Sequence, residues 1–145
     1  MINNFNPADH LMKVSQKDYL PVAWRLVWFR EQCPEGTITT EMTFIDLDRE
    51  TTEEVTVWND QAKRKEKVTK RANGFVIFRA TVTDGKGASA TATKSEKAAS
   101  FPDFLEKCET GATGRALAML GYGTQFTACE LEEGHRIVDS PIERR

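Results

Sequence analysis

The chain has 145 residues, a length that suits one domain with a core of its own. With 39% hydrophobic and 29% charged residues it reads as an ordinary globular domain, and a formal charge of −2 excludes a uniformly basic polyanion binder. No apolar run approaches the ~18 residues of a membrane span, so no membrane partner is expected.

Residues 1–18 are polar, with a short helix expected around Asp9 to Val14 and no signal-peptide pattern. A helix then starts near Pro21, which fits a first turn, with Asp18 as its cap; Pro34 and Gly36 end it. Val22, Ala23, Trp24, Leu26, Val27, Trp28 and Phe29 leave it almost no polar face, so it is buried or meets another subunit. Thr37 to Leu47 alternates and is β-branched, the pattern of a strand. Asp48-Arg49-Glu50 reads as a turn and Glu54 to Trp58 as the returning strand. Asn59 to Arg71 reads as a polar connection, carrying Lys63, Arg64, Lys65, Lys67, Lys70 and Arg71 against the single acid Glu66 in its basic part. Phe75 to Thr83 is the best strand, Asp84-Gly85-Lys86-Gly87 a tight hairpin turn, and Ala88 to Lys94 a small-residue partner strand.

The element with the most information is the helix Phe101 to Gly123. Phe101, Phe104, Leu105, Cys108, Ala112, Ala116, Met119 and Leu120 recur at helical period, Pro102 and Asp103 suit its start, and Gly121 and Gly123 its end. Gly111 and Gly114 share one face in mid-helix, at about 1 kcal/mol each relative to Ala, so a backbone or a phosphate is expected to approach there. Arg115 sits beside them with small or apolar helical neighbours, as Arg25 does in the first helix. Each arginine either pairs a carboxylate from elsewhere on the fold, such as Glu109 for Arg115, or meets an anion. The order is helix, antiparallel meander of about four strands, long helix: an α+β fold in one domain, residues 1–126, followed by an acidic tail, residues 127–145.

Catalytic and cofactor signatures are missing. His10 and His135 lie near opposite ends, and Cys33, Cys108 and Cys129 are too widely spaced for a zinc pattern or a disulfide framework; free thiols in a reducing cytoplasm are expected. Asp84 to Ser89 lacks the upstream glycine of a Walker loop, and Gly111-Ala112-Thr113-Gly114 lies inside a helix where a KH loop would join two. The reading is a non-enzyme without a cofactor.

The runs Lys94 to Lys97, Phe101 to Leu117 and Leu120 to Gly123 resemble the Rad-fifty-two family of single-strand annealing proteins, closest to bacterial and phage relatives of the DdrA type. Tyr19-Leu20 with Trp24 to Val27 is similar to that family's first core helix, and Phe75 to Lys94 to its central hairpin, so the resemblance covers about residues 18–125. It implies a Rad-fifty-two-like β-β-β-α core, side-by-side subunits in a ring or arc, and single-stranded DNA in a groove. It places Arg115 and Arg25 on that groove, with Lys86 and Lys94 near an outer DNA path. The sequence departs from eukaryotic members at Gly114 and Ala118, where they are basic. The Lys63–Arg71 run is the expected compensation, with Arg79 of the hairpin a further candidate DNA contact.

The function expected on these grounds is single-stranded-DNA binding and strand annealing in homologous recombination and repair. The acidic tail would contact a recombination or replication partner. Protection of 3′ ends without annealing, and a purely structural oligomeric module, are the alternatives. Trp24, Trp28, Trp58 and Tyr122 are either base-stacking residues or buried aromatics, burial being the ordinary fate of such rings.

Overall fold

The computed structural model describes residues 5–14 and 16–123, so the acidic tail and Cys129 lie outside the described residues. Pro7–His10 is a short 3-10 turn, capped where Asn6 Oδ1 accepts from the Ala8 N–H at 3.0 Å. β1 (Met12–Val14) and β2 (Lys17–Tyr19) then form a small antiparallel hairpin through Gln16 at φ +66°. The helix expected at Asp9 to Val14 is therefore a turn and a strand. A six-residue segment does not repay helix nucleation, and a hairpin partner is available.

α1 spans Val22–Gln32. Asp18 does not cap it; that residue lies in β2 and pairs with Lys13 at 2.6 Å, while the Pro21 carbonyl accepts from Trp24 and Arg25. Phe29 is fully buried in the core. Trp24 and Trp28 of α1, half-buried, meet other rings of the chain. His10 stacks on Trp24 with centroids 3.7 Å apart, Phe5 stacks on His10 at 5.0 Å, and Trp28 meets Tyr122 edge-on at 5.2 Å. Burial, with a hydrogen bond to Cys33 Sγ, pushes the Tyr122 phenol up to about 12.

The main sheet has three antiparallel strands in the order β3 (Thr37–Asn59), β4 (Arg64–Thr83), β5 (Ser89–Lys97). This corrects the expectation of four. Asp48-Arg49-Glu50 makes no reversal; the register shifts between Asp46 and Glu50 and the strand runs on to Asn59. A bulge absorbs residues whose chemistry also suits a turn, as Asp46 Oδ1 accepts from the Asp48 N–H at 3.0 Å. The basic connection is likewise mostly strand: only 60–63 form the loop, held by Asn59 Oδ1 accepting from Gln61 and Ala62.

Val76, Phe78, Ala80 and Val82 alternate inward from β4 and are buried under α2 (Phe104–Leu120). Cys108, Ala112, Ala116 and Leu117 of α2 close that core at helical spacing. Gly121 ends the helix at φ +114°, a conformation glycine adopts without cost. Among the described residues the architecture is α+β, with two α-helices and antiparallel sheets.

Candidate functional site

β3 and β4 continue past the part of the sheet that α2 covers. The ten pairs from Glu50↔Asn73 to Asn59↔Arg64 form a two-stranded arm about 30 Å long. Its root is fastened. The buried Thr51 hydroxyl donates to the Ala72 carbonyl at 2.8 Å and accepts from the Ala99 N–H at 3.0 Å. Glu53 accepts from Ser100 at 3.1 Å and pairs with Lys97 at 3.1 Å. The Lys97 and Ser100 hydrogen bonds hold the Glu53 carboxyl below its ordinary value of 4.5.

A pH dependence follows from that depression. The folded state binds the Glu53 proton less tightly than the unfolded chain, so the fastening contributes fully above about 4.5 and is lost as pH falls through the lower, folded value. A carbon-13 titration of Glu53 is expected to give a midpoint below 4.5, and Lys97→Gln is expected to move it up. A midpoint unmoved by Lys97→Gln would mean that the ion pair does not hold the root.

Six of the cations named from sequence lie together on this arm: Lys63, Arg64, Lys65, Lys67, Lys70 and Arg71, all exposed. Arg64 pairs with Glu66 at 3.2 Å and Arg71 with Glu50 at 3.8 Å. Lys63, Lys65, Lys67 and Lys70 make no ion pair among the described residues. The outgoing strand and loop carry Glu50, Glu53, Glu54 and Asp60 and the return strand Glu66, so the cations are concentrated on the return strand and the end of the loop with acids close by. Strand alternation sets Lys65, Lys67 and Arg71 with Trp58 on the face away from α2, and Arg64, Glu66 and Lys70 on the other.

The remaining candidates are elsewhere. Arg79 lies on the uncovered face of the sheet, paired with Glu41 at 2.8 Å. Lys86 sits in the β4–β5 turn, at the opposite end of β4 from the arm tip, and its Nζ reaches the Gln32 carbonyl at 3.5 Å. Lys94 lays its stem across Gly111 and pairs with Glu96 at 3.0 Å.

Arg25 requires a correction. Its side chain is fully buried: Nε donates to the Leu20 carbonyl at 2.7 Å, Nη1 donates to the Gly114 carbonyl at 2.9 Å, and the guanidinium lies 5.1 Å from the Tyr19 ring centroid. Arg25 joins α1 to α2 through the Gly114 carbonyl and, fully buried, does not line a groove. Glu109, the carboxylate considered for Arg115, accepts from Thr40 at 2.6 Å. The Lys94 stem occupies the surface over Gly111, where the sequence suggested room for a phosphate.

A Cβ at Gly111 would fall 2.5 Å from Lys94 Cδ, part of a flexible stem able to swing aside. Gly111→Ala is therefore expected to be neutral or to stabilise by up to about 1 kcal/mol, from helix propensity. Urea unfolding measures this; a loss above ~1 kcal/mol would show that the Lys94–Glu96 arrangement is needed.

Trp58, for which the sequence left base stacking and the more ordinary burial open, stands out. It is 56% exposed near the arm tip and is the cross-strand partner of Lys65. A tryptophan five residues before a basic run is the signal the sequence carries. A cleft of about 400 Å³ beside α2 is lined by Tyr19, Phe101, Glu96, Asp103 and Glu106. Three carboxylates against one lining lysine, Lys107, disfavour anions there.

A family model described as Slr1353 N-terminal dsRNA-binding domain-like matches residues 64–120. The matched stretch runs from the first residue of β4, through β5, to the end of α2. No curated protein matches the chain, and no solved structure does. The match overturns the resemblance to the Rad-fifty-two family, because it covers the central hairpin and the long helix on which that resemblance rested and assigns them to a different family model.

Proposed function

We propose that this chain is a nucleic-acid-binding module that grips the phosphate backbone with the β3–β4 arm. The observation that carries the reading is the set Lys63, Lys65, Lys67 and Lys70, exposed on one strand and its loop with no ion pair among the described residues. Ammonium groups are compact point charges suited to phosphate, and phosphate contacts hold a strand without reading its bases. The family match supports the reading, since it begins at Arg64 and its description names double-stranded RNA binding. Double-stranded RNA is recognised largely by shape and by backbone contacts, within reach of a projecting basic ribbon.

Fluorescence anisotropy with labelled RNA and DNA, single-stranded and duplex, over 50–200 mM salt tests it. Four contacts correspond to a slope of log affinity on log salt of roughly −3 to −4. No binding at 50 mM salt would sink the proposal and leave a structural module.

Strand annealing is the finer form of this function. A backbone grip leaves base edges free to pair, and two strands must be held at once. The apolar residues exposed along the hairpin, Leu47, Val57 and Val68, support self-association that would bring two arms together. Light scattering of the protein with and without oligonucleotide, alongside a pairing assay on complementary strands, measures both; a monomer that leaves pairing unaccelerated excludes annealing.

A further inference from the structure

We infer that Trp58 is a base-stacking platform, and that the ligand of the arm is single-stranded nucleic acid with unstacked bases in preference to a closed duplex. The inference rests on the proposal that the arm binds nucleic acid and names its substrate class.

Trp24 and Trp28 are engaged by His10, Phe5 and Tyr122. Trp58 instead leaves 56% of its surface in water, near the end of an arm whose packing contacts lie at its root. The fold gains little by keeping so large an apolar ring there. The surroundings are polar and cationic. Lys65 is directly opposite, Lys67 follows two residues along the same face, and Thr56 and Thr69 complete the neighbourhood. Lys65 and Lys67 are ~7 Å apart along the strand. The nearest carboxylate of the strands on that face is Glu54, four residues before Trp58.

A flat aromatic ring flanked by lysines complements a nucleotide: the ring takes the base and the ammonium groups take the phosphates on either side. The same ring has nothing to stack on in a closed duplex, whose base faces are covered by their neighbours. Stacking is indifferent to base identity, which matches a backbone grip that does not read sequence.

The test compares wild type, Trp58→Ala and Trp58→Phe, with Lys63/Lys65/Lys67/Lys70→Gln as the backbone control, by anisotropy on a labelled 20-nucleotide single strand and a blunt 20-base-pair duplex. Trp58→Ala is expected to weaken single-strand binding roughly 5- to 150-fold, the range spanned by one base–aromatic stack, and duplex binding less than twofold. Trp58→Phe is expected to keep most of the single-strand affinity, and melting temperatures to stay together because the ring is exposed. Equal losses on both ligands, or no loss on either, would overturn the inference. The four-lysine control separates the two readings. If it abolishes binding while Trp58→Ala changes nothing, the backbone grip stands and the stacking platform falls; if wild type binds neither ligand, both fall.

Discussion

Arg25→Met is expected to destabilise the fold by about 3–5 kcal/mol without touching the basic arm. The guanidinium is fully buried and donates to the carbonyls of Leu20 and Gly114, one at the entry to α1 and one inside α2. Methionine fills a similar volume but supplies no donor. Each abandoned buried acceptor costs about 1–3 kcal/mol. Against a total stability of roughly 5–15 kcal/mol for a domain, that loss is a large share. It corresponds to a drop in melting temperature on the order of 10–20 °C. Arg25→Lys keeps the charge but offers one compact ammonium in place of a planar fork, so an intermediate loss is expected. Thermal unfolding followed by circular dichroism measures both. An unchanged melting temperature together with weakened nucleic-acid binding would reverse the assignment and put Arg25 back on a phosphate-facing groove.

The complementary result is expected from the arm. Replacing Lys63, Lys65, Lys67 and Lys70 by glutamine removes four exposed charges that take no part in ion pairs among the described residues. Surface changes of this kind usually move stability by less than about 0.5 kcal/mol each. Binding is expected to respond strongly. If each lysine neutralises one phosphate, wild-type affinity falls roughly 50- to 150-fold between 50 and 200 mM salt, and the variant loses both that salt dependence and most of its low-salt affinity. The loss is expected to be similar across sequences, because backbone contacts carry no base information. A variant that binds as tightly as wild type, with the same salt slope, would move the interface off the arm. Arg115 on α2 would then be the next residue to vary.

Much of this architecture was legible before any coordinates. The 3.6-residue spacing of Phe104, Cys108, Ala112 and Ala116, with Gly121 behind them, identifies α2 and its end. The Asp84–Gly87 turn identifies the β4–β5 hairpin, where Asp84 Oδ1 accepts from the Lys86 N–H at 2.6 Å and the Ala88 N–H at 3.1 Å. The α+β order and the clustering of six cations were legible for the same reason: they depend on neighbours within a turn or two of the chain. The family resemblance went wrong on the same stretch. A helix motif of small residues and two glycines ahead of a single arginine is compatible with more than one family, and the model that matches residues 64–120 is a different one.

Local signals in the chain were enough to place α1, α2, the Asp84–Gly87 turn and the concentration of positive charge between Lys63 and Arg71. Tertiary structure decided the rest. An arginine among apolar helical neighbours suits a phosphate groove or a set of carbonyls equally well. Only the approach of α2, with the Gly114 carbonyl 2.9 Å from the guanidinium, chose the second for Arg25. Asp48-Arg49-Glu50 suits a turn or a bulge, and the pairing of Val55 with Val68 beyond it chose the bulge, so that an expected loop became a two-stranded arm. Period-two alternation names the two faces of a strand but not what covers them. Val76 lies under α2, while Trp58 stands in water on the face that α2 does not cover, and which face is covered is decided only when the helix packs on the sheet.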